Sequence, residues 1–302
     1  MELNNYNLKN LLIWAQKLFI KHKLYFGHGS INAWDEAVFI ASYVLDLNLY
    51  ETNLKDQPLT KQQVDLFIKT ASLRAKKKIP LSYIIKTAWF AGKKYYVDRR
   101  VIIPRSPFAE LINNRFNPWL QVKSQPKRIL DLCTGSGCIA IACYHEFSKN
   151  NPLLRVDASD ISSNALKVAK KNLKLHKFSA SQIKFVKSDL FNNIPKIKYD
   201  LIVSNPPYID EKTFNKLPKE FHFEPKLALV SKENGLQIVF KILQQANQFL
   251  TKQGILVVEV GNMWKKLIKL KPRLNFTWIE LENGGEGIFV LTKEQLDNYI
   301  TN

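Results

Sequence analysis

The sequence predicts an α/β protein, with parallel strands alternating with helices and a small helical domain in front. Three observations carry this. The apolar stretch Ile129-Leu130-Asp131-Leu132 runs through a glycine turn into a helix that starts near Cys138. Two further apolar runs end in acids, at Asp160 and Asp189. A fourth, Leu201-Ile202-Val203-Ser204, stops at Asn205-Pro206-Pro207-Tyr208. Strands separated by helical stretches, with polar residues at their carboxyl ends, are the pattern of a parallel sheet that binds its ligand along that edge.

Residues 1–88 have helical periodicity. Leu8, Leu11, Leu12, Ala15 and Phe19 recur on one face. Asn32 is placed to cap a helix with Asp35 and Glu36 in its first turn, where the dipole favours acids. Thr60 and Gln63 form a capping box ahead of Val64, Phe67, Ile68 and Ala71. The loop Tyr25-Phe26-Gly27-His28-Gly29-Ser30 separates the first two helices. Between 89 and 104 the pattern changes to short alternating runs, Trp89 to Val97 and then Val101 to Ile103, around turns at Gly92 and Asp98-Arg99. This predicts a β-hairpin linker. Residues 105–302 form the second domain, which opens with a helix through Glu110, Leu111 and Ile112, with Pro107 tolerated in its first turn.

Composition narrows the function classes. A chain of 302 residues with 46% apolar content can bury a full core. No apolar run is long enough to span a bilayer, and Met1-Glu2-Leu3-Asn4-Asn5 lacks the basic start of a signal peptide. The three cysteines, Cys133, Cys138 and Cys143, are clustered and odd in number. They suggest a reducing cytoplasm rather than a disulfide framework, and His145 does not complete a zinc set with them. The net charge of +19 suits a polyanion such as ribosomal RNA, or a protein bound to it. A lysine-rich composition accounts for it equally well, because Lys76 to Lys78, Lys170-Lys171 and Lys265-Lys266 form no single arm.

The residues after the strands carry the chemistry. A strand, a glycine turn and a helix N-terminus make a nucleotide-type pocket, and the glycines let the backbone approach the ligand. Asp160 lies 23 positions beyond Gly137, where a ribose-binding acid belongs. Asp189 can accept a hydrogen bond from an adenine amino group. At Asn205-Pro206-Pro207-Tyr208, neither proline has an N–H, so the strand stops and leaves carbonyls open. Asn205 adds a side-chain carbonyl and an amide, and Tyr208 a flat wall. Together they outline a clamp for a planar group carrying –NH2.

The stretch Asp131-Leu132-Cys133-Thr134-Gly135-Ser136-Gly137 resembles the first motif of class I S-adenosylmethionine methyltransferases. Asn205-Pro206-Pro207-Tyr208 is similar to the motif of amino-methyltransferases acting on amide or exocyclic amine nitrogen. The two together resemble the HemK-like glutamine N5-methyltransferases, and within them the PrmB branch. The resemblance also covers Tyr25 to Gly29, Asn32 to Ala37, Tyr96 to Pro107, Phe223-Glu224-Pro225, Val258-Glu259-Val260-Gly261-Asn262 and Asn283-Gly284-Gly285. Ser106-Pro107-Phe108-Ala109 stands where the release-factor branch has an acid and a hydroxyl before the glutamate matching Glu110. In Phe221-His222-Phe223-Glu224-Pro225, His222 sits one place earlier than the branch usually has it.

The resemblance implies a Rossmann-like sheet of seven strands, the last antiparallel. Ile255 to Val260 would be its fifth strand, and Phe276 to Glu280 would pair with Ile288 to Thr292. S-adenosylmethionine would bind at Asp131, Thr134, Gly135, Ser136, Gly137, Asp160, Ile161, Asp189, Leu190 and Asn205. Asn205, Pro206, Pro207, Tyr208 and Glu224 would bind the substrate, with Asn205, Pro206 and Tyr208 serving catalysis. The N-terminal helices would help recognise that substrate, a glutamine of large-subunit ribosomal protein L-three, free or in a ribosome-assembly intermediate. Rival expectations are methylation of a release factor, methylation of a flipped DNA adenine through the same clamp, and a non-catalytic RNA-binding protein of ribosome assembly.

Overall fold

The structure, a computed structural model, describes residues 7–46, 58–120 and 125–301; Met1 to Asn5, read above for a signal, lie outside them. Four helices come first: α1 (Leu8–Lys21), α2 (Ala33–Leu45), α3 (Lys61–Lys77) and α4 (Leu81–Ile85). Their starts are set by side chains. Asn32 accepts the Asp35 N–H at 2.9 Å, and Thr60 and Gln63 each accept the other's backbone N–H. The apolar face of α1 packs on Ala37, Ile40 and Ala41 of α2 and on Val64, Phe67 and Ala71 of α3. Beneath this core Arg74, which is fully buried, bonds Glu36 at 2.5 Å, the Tyr25 carbonyl at 2.9 Å and Glu220 at 3.4 Å. Glu220 belongs to the other half of the chain, so the helices are tied to it by buried charge.

The hairpin consists of β1 (Thr87–Phe90) and β2 (Lys93–Tyr96), turning at Ala91-Gly92. The expected extension past Asp98-Arg99 does not form a strand. Its backbone groups are taken by other partners: Val101 donates to the Asp98 carbonyl, the Val101 carbonyl accepts the Tyr83 hydroxyl, and Ile103 donates to Glu224. A helix, α5 (Phe108–Asn113), follows, with Pro107 as its cap residue.

The remaining elements are β3 (Arg128–Leu132), α6 (Cys138–Phe147), β4 (Arg155–Asp160), α7 (Ser163–Leu175), β5 (Ile183–Lys187), β6 (Tyr199–Ser204), α8 (Glu211–Phe214), α9 (Gln237–Gln245), β7 (Leu250–Glu259), α10 (Trp264–Leu270), β8 (Thr277–Trp278), β9 (Ile288–Thr292) and α11 (Lys293–Thr301). They build a seven-stranded sheet in the order β5-β4-β3-β6-β7-β9-β8, in which β9 runs antiparallel to both neighbours and β3 to β7 are parallel. Side chains alternate between two cores. Ile129, Leu201, Val203, Ile255 and Val257 pack with α5 and α6 on one face. Leu130, Leu132, Ile202, Leu256 and Val258 pack with α9, α10 and α11 on the other. The period of two is what a sheet covered on both sides requires.

Chain order steps outward from β3 to β4 and β5, then crosses to β6 on the other side of β3 and continues to β7. The switch point lies between β3 and β6. In an open sheet of this kind that is where a crevice opens beyond the carboxyl ends of the strands. The glycine turn leaves β3 there, and Asn205 leaves β6 there. The Ser204 hydroxyl donates to the Leu132 carbonyl at 2.9 Å and ties the two strand ends together.

Candidate active site

A cavity of about 280 Å³ lies at this switch point. Of the expected residues, Gly135, Asp160, Ile161, Asp189, Leu190, Asn205 and Pro207 line it. The fold thus gathers the ends of β3, β4, β5 and β6 around one space. Asp131, Thr134, Ser136, Gly137, Pro206, Tyr208 and Glu224 stand outside the lining.

The glycine turn is built from left-handed residues: Cys133, Gly135 and Gly137 have φ of 60°, 56° and 79°. A Cβ on Gly137 would lie 3.1 Å from the Phe185 ring and 3.2 Å from Ala169, so glycine is required there. Thr134 N–H donates to the Ser159 carbonyl of β4 at 2.9 Å, and Gly137 N–H to the Thr134 carbonyl at 2.8 Å. Asp131 anchors the turn from below. Its Oδ2 accepts the Thr134 hydroxyl at 2.6 Å and the Ala140 N–H at 3.1 Å. Its Oδ1 is buried with no hydrogen-bond partner among the described residues. Burial pushes the Asp131 carboxyl up to about 7.

Asp160 is fixed by two backbone donors. Its Oδ2 accepts Gly135 N–H at 2.9 Å and its Oδ1 accepts Ser162 N–H at 2.8 Å. Each carboxylate oxygen keeps a further acceptor site. Burial raises the Asp160 pKa above the ordinary value. Asp189 is exposed at the rim, and Leu190 beside it is held in a left-handed turn at φ 47°. The Ser188 hydroxyl donates to the Leu190 carbonyl at 2.7 Å and closes that turn.

Behind Asn205 and Pro207, Tyr208 is gripped at three points. Its hydroxyl donates to Glu259 Oε1 at 3.0 Å. A Cβ on Gly261 would lie 2.8 Å from its ring, and one on Gly235 would lie 2.4 Å from its carbonyl oxygen. Glu259, at the end of β7, also accepts the Ser106 hydroxyl through Oε2 at 2.5 Å. Sequence reasoning assigned no role to Glu259 or Ser106. The available signal was an acid closing an otherwise apolar strand, Val257-Val258-Glu259.

Glu224 is buried and does not reach the cavity. It accepts two bonds from the Arg105 guanidinium, at 2.6 and 2.8 Å, and the Ile103 N–H at 2.9 Å. His28 Nε2 lies 3.6 Å away. Burial acts to raise the Glu224 pKa, but the Arg105 charge and His28 outweigh it and hold the carboxyl at about 2. Arg105 and Ser106 are neighbours in sequence. One reaches Glu224 beside the 25–30 loop, and the other reaches the Tyr208 anchor. Arg100, Ile102, Leu227, Val230 and Ile238 also line the cavity, positions to which the sequence assigned no role in the site.

A parallel sheet with its glycine turn, strand-end acids and Asn-Pro-Pro-Tyr stop at one switch point defines a class I S-adenosylmethionine-dependent methyltransferase. Residues 118–276 match the methyltransferase small domain family. The sequence is 41% identical over 297 residues to the ribosomal protein uL3 glutamine methyltransferase of Francisella tularensis, covering 98% of this chain and 93% of that one. It is 39% identical over 289 residues to the enzyme of the same name from Xanthomonas campestris, covering 95% and 91%. The chain belongs to the family of ribosomal protein uL3 glutamine methyltransferases. Among solved structures, the hMettl16 catalytic domain in complex with the MAT2A 3'UTR hairpin 1 aligns at a TM-score of 0.50 and 17% identity, over 85% of this chain and 91% of that one. That likeness concerns the fold alone. Among the described residues no helix is long and apolar enough to cross a membrane.

Proposed function

We propose that the protein transfers a methyl group from S-adenosylmethionine to the side-chain amide nitrogen (N5) of a glutamine in ribosomal protein uL3. The observation that carries this is the placement of Asn205 and Pro207 in the same cavity as Gly135 and Asp160. When bound, S-adenosylmethionine supplies a sulfonium methyl already activated for transfer. The residues suit it: Asp160 has acceptor sites left for ribose hydroxyls, and Asp189 and Leu190 line the part of the cavity that would take the adenine. The open Oδ1 of Asp131 is a buried acceptor for an ammonium group, and the turn Thr134 to Gly137 leaves room where a side chain would intrude.

The substrate amide is a weak nucleophile because its lone pair is conjugated with the carbonyl. Orientation therefore does most of the work. Asn205 Oδ1 and the Pro206 carbonyl each accept one N–H of the glutamine amide, at roughly 2.7–3.2 Å. Holding both protons localises electron density on nitrogen and aims it at the methyl group. The same carbonyl dipoles stabilise the positive charge that grows there. Tyr208 supports Asn205 and Pro207 from behind, and its position is set by Glu259. The surplus proton passes to solvent water after transfer, when the nitrogen is acidic. Glu224 serves the site indirectly, by fixing Arg105 and Ile103 beside the 25–30 loop. The N-terminal helices contribute to recognition of uL3, which is met in the cytoplasm free or in an assembly intermediate.

The test is methylation with labelled cofactor of purified uL3, a release factor and DNA, with peptide mass spectrometry of the product. One methyl on a uL3 glutamine and none on the others is expected. Faster labelling of the release factor would overturn the choice of substrate.

A further inference from the structure

From Ser163 to Lys187 the chain carries seven lysines and no aspartate or glutamate. Lys184 and Lys187 lie on β5, the outermost strand of the sheet, where lysine guards a free edge against pairing. That explanation does not reach α7, whose backbone bonds are internal. Lys167, Lys170, Lys171 and Lys174 follow the i, i+3, i+4, i+7 pattern of a single helix face, and Lys177 extends the line past its end. All five are exposed. Like charges at these spacings destabilise a helix, and the usual remedy of interleaved acids is absent. The opposite face, with Ala165, Leu166, Val168, Ala169 and Leu173, is buried. It is therefore not available for insertion into a lipid surface.

The stripe is held rigidly against the site. Asn172 is fully buried on α7. Its Oδ1 accepts Tyr96 N–H at 2.7 Å, and its Nδ2 donates to the carbonyls of Tyr96 and Ser136, at 3.0 and 2.9 Å. One side chain thus bolts α7 to the hairpin and to the glycine turn. Lys171 lies 3.2 Å from the centre of the Tyr96 ring. The nearby acid Asp98 is taken by Arg100 at 2.6 Å and by the Tyr96 hydroxyl at 2.9 Å. Exposed Arg99 adds a further cation, and Arg100, Ser162 and Ala165 reach the cavity itself. Lys167, Lys170, Lys171, Lys174 and Lys177 therefore form one fixed cationic face beside the mouth of the site.

We infer that this face of α7, with the adjoining end of the hairpin, binds the phosphate backbone of RNA without reading its sequence. The inference rests on the proposed ribosomal-protein substrate for which polyanion is presented, and on the charge pattern for the surface. Lysine ammonium groups in a row suit phosphates by point charge.

The experiment is titration of the full-length protein into a labelled fragment of large-subunit ribosomal RNA over a series of salt concentrations. The test variant is Lys167→Gln/Lys170→Gln/Lys174→Gln. A control, Lys9→Gln/Lys17→Gln/Lys21→Gln, removes equal charge from the exposed side of α1. Each neutralised phosphate contributes about 0.7–0.9 to the slope of log K against log salt. The test variant should lose about two to three from that slope and bind roughly ten-fold or more weakly at low salt, while the control stays near wild type. Equal losses in the two variants, or none in the test variant, would overturn the assignment. So would a test variant that loses polyglutamate or anionic-vesicle binding more than RNA binding. Methylation of RNA-free uL3 is measured in parallel and should be unchanged. It reads the proposed activity separately, and the RNA isotherms decide the surface whichever way that assay falls.

Discussion

Tyr208 donates its hydroxyl to Glu259 Oε1 at 3.0 Å, across 51 residues of sequence. The bond joins the residue that closes the Asn-Pro-Pro-Tyr stop to the end of the neighbouring strand, β7. Tyr208→Phe keeps the ring against Gly261 but leaves a buried carboxylate with one partner fewer. A loss of about 1–3 kcal/mol of stability is expected, measured by urea denaturation. Gly261→Ala acts on the ring itself, since its Cβ would sit 2.8 Å from Tyr208. Turnover should fall while cofactor affinity by calorimetry holds. An active Gly261→Ala enzyme would show that the ring's position is immaterial.

Asn205→Ala removes one acceptor and leaves both prolines in place. Turnover should drop roughly 10²–10³-fold, the usual loss for one preorganised polar group. Asn205→Asp should bind cofactor at least as well and still methylate poorly, because it adds charge and loses the amide donor. Single-turnover kinetics with saturating cofactor separate these effects. Wild-type rates in a folded Asn205→Ala protein would place methyl transfer elsewhere.

Asp160→Ala should weaken S-adenosylmethionine binding by about 1.5–3 kcal/mol, the range for hydrogen bonds to a charged group. It also frees the N–H groups of Gly135 and Ser162. Asp160→Asn retains an acceptor and should lose less. Calorimetry on both variants distinguishes ligand contact from support of the turn.

Burial raises Asp131 from 3.8 to about 7, so the folded chain keeps a proton that the unfolded chain has already released. This contribution to ligand-free stability is complete on the acid side and is lost as pH climbs through that interval. Asp131→Asn should flatten the decline in urea denaturation across a pH series. Cofactor affinity should run the other way, rising toward neutral pH with proton release, because a cationic ligand favours the ionised carboxylate. Calorimetry in two buffers of unlike ionisation heat would show the released proton, and a signal independent of buffer would contradict it.

The glycine turn, the acids closing β4 and β5 and the strand stop at Asn205 are legible in sequence because each is local. Every one is a short string whose geometry follows from glycine, proline or a strand end. The Ser106–Glu259 contact is not, since its partners lie 153 residues apart and meet where α5, two residues after Ser106, packs on the face of the sheet that carries Ile255 and Val257 of β7. Val101 to Ile103 misleads for a related reason. Its apolar alternation suits a strand, but Tyr83 and Glu224, both distant in sequence or fold, capture its backbone groups. Glu224 itself carries no local mark that separates a buried ion-pair partner from a residue facing the substrate.

Arg74 has one further consequence, for how such an enzyme can change over evolutionary time. Its guanidinium joins Glu36 on α2 to Glu220 in the catalytic half, and a buried pair broken on one side costs about 3–5 kcal/mol. The helical segment is therefore not a cassette that recombination can exchange whole. A graft from a relative would succeed only if it brought a matching cation, or if Glu220 changed in the same step. New substrate preferences would more readily arise by point replacement in exposed loops, with the charged weld between the two halves inherited unchanged.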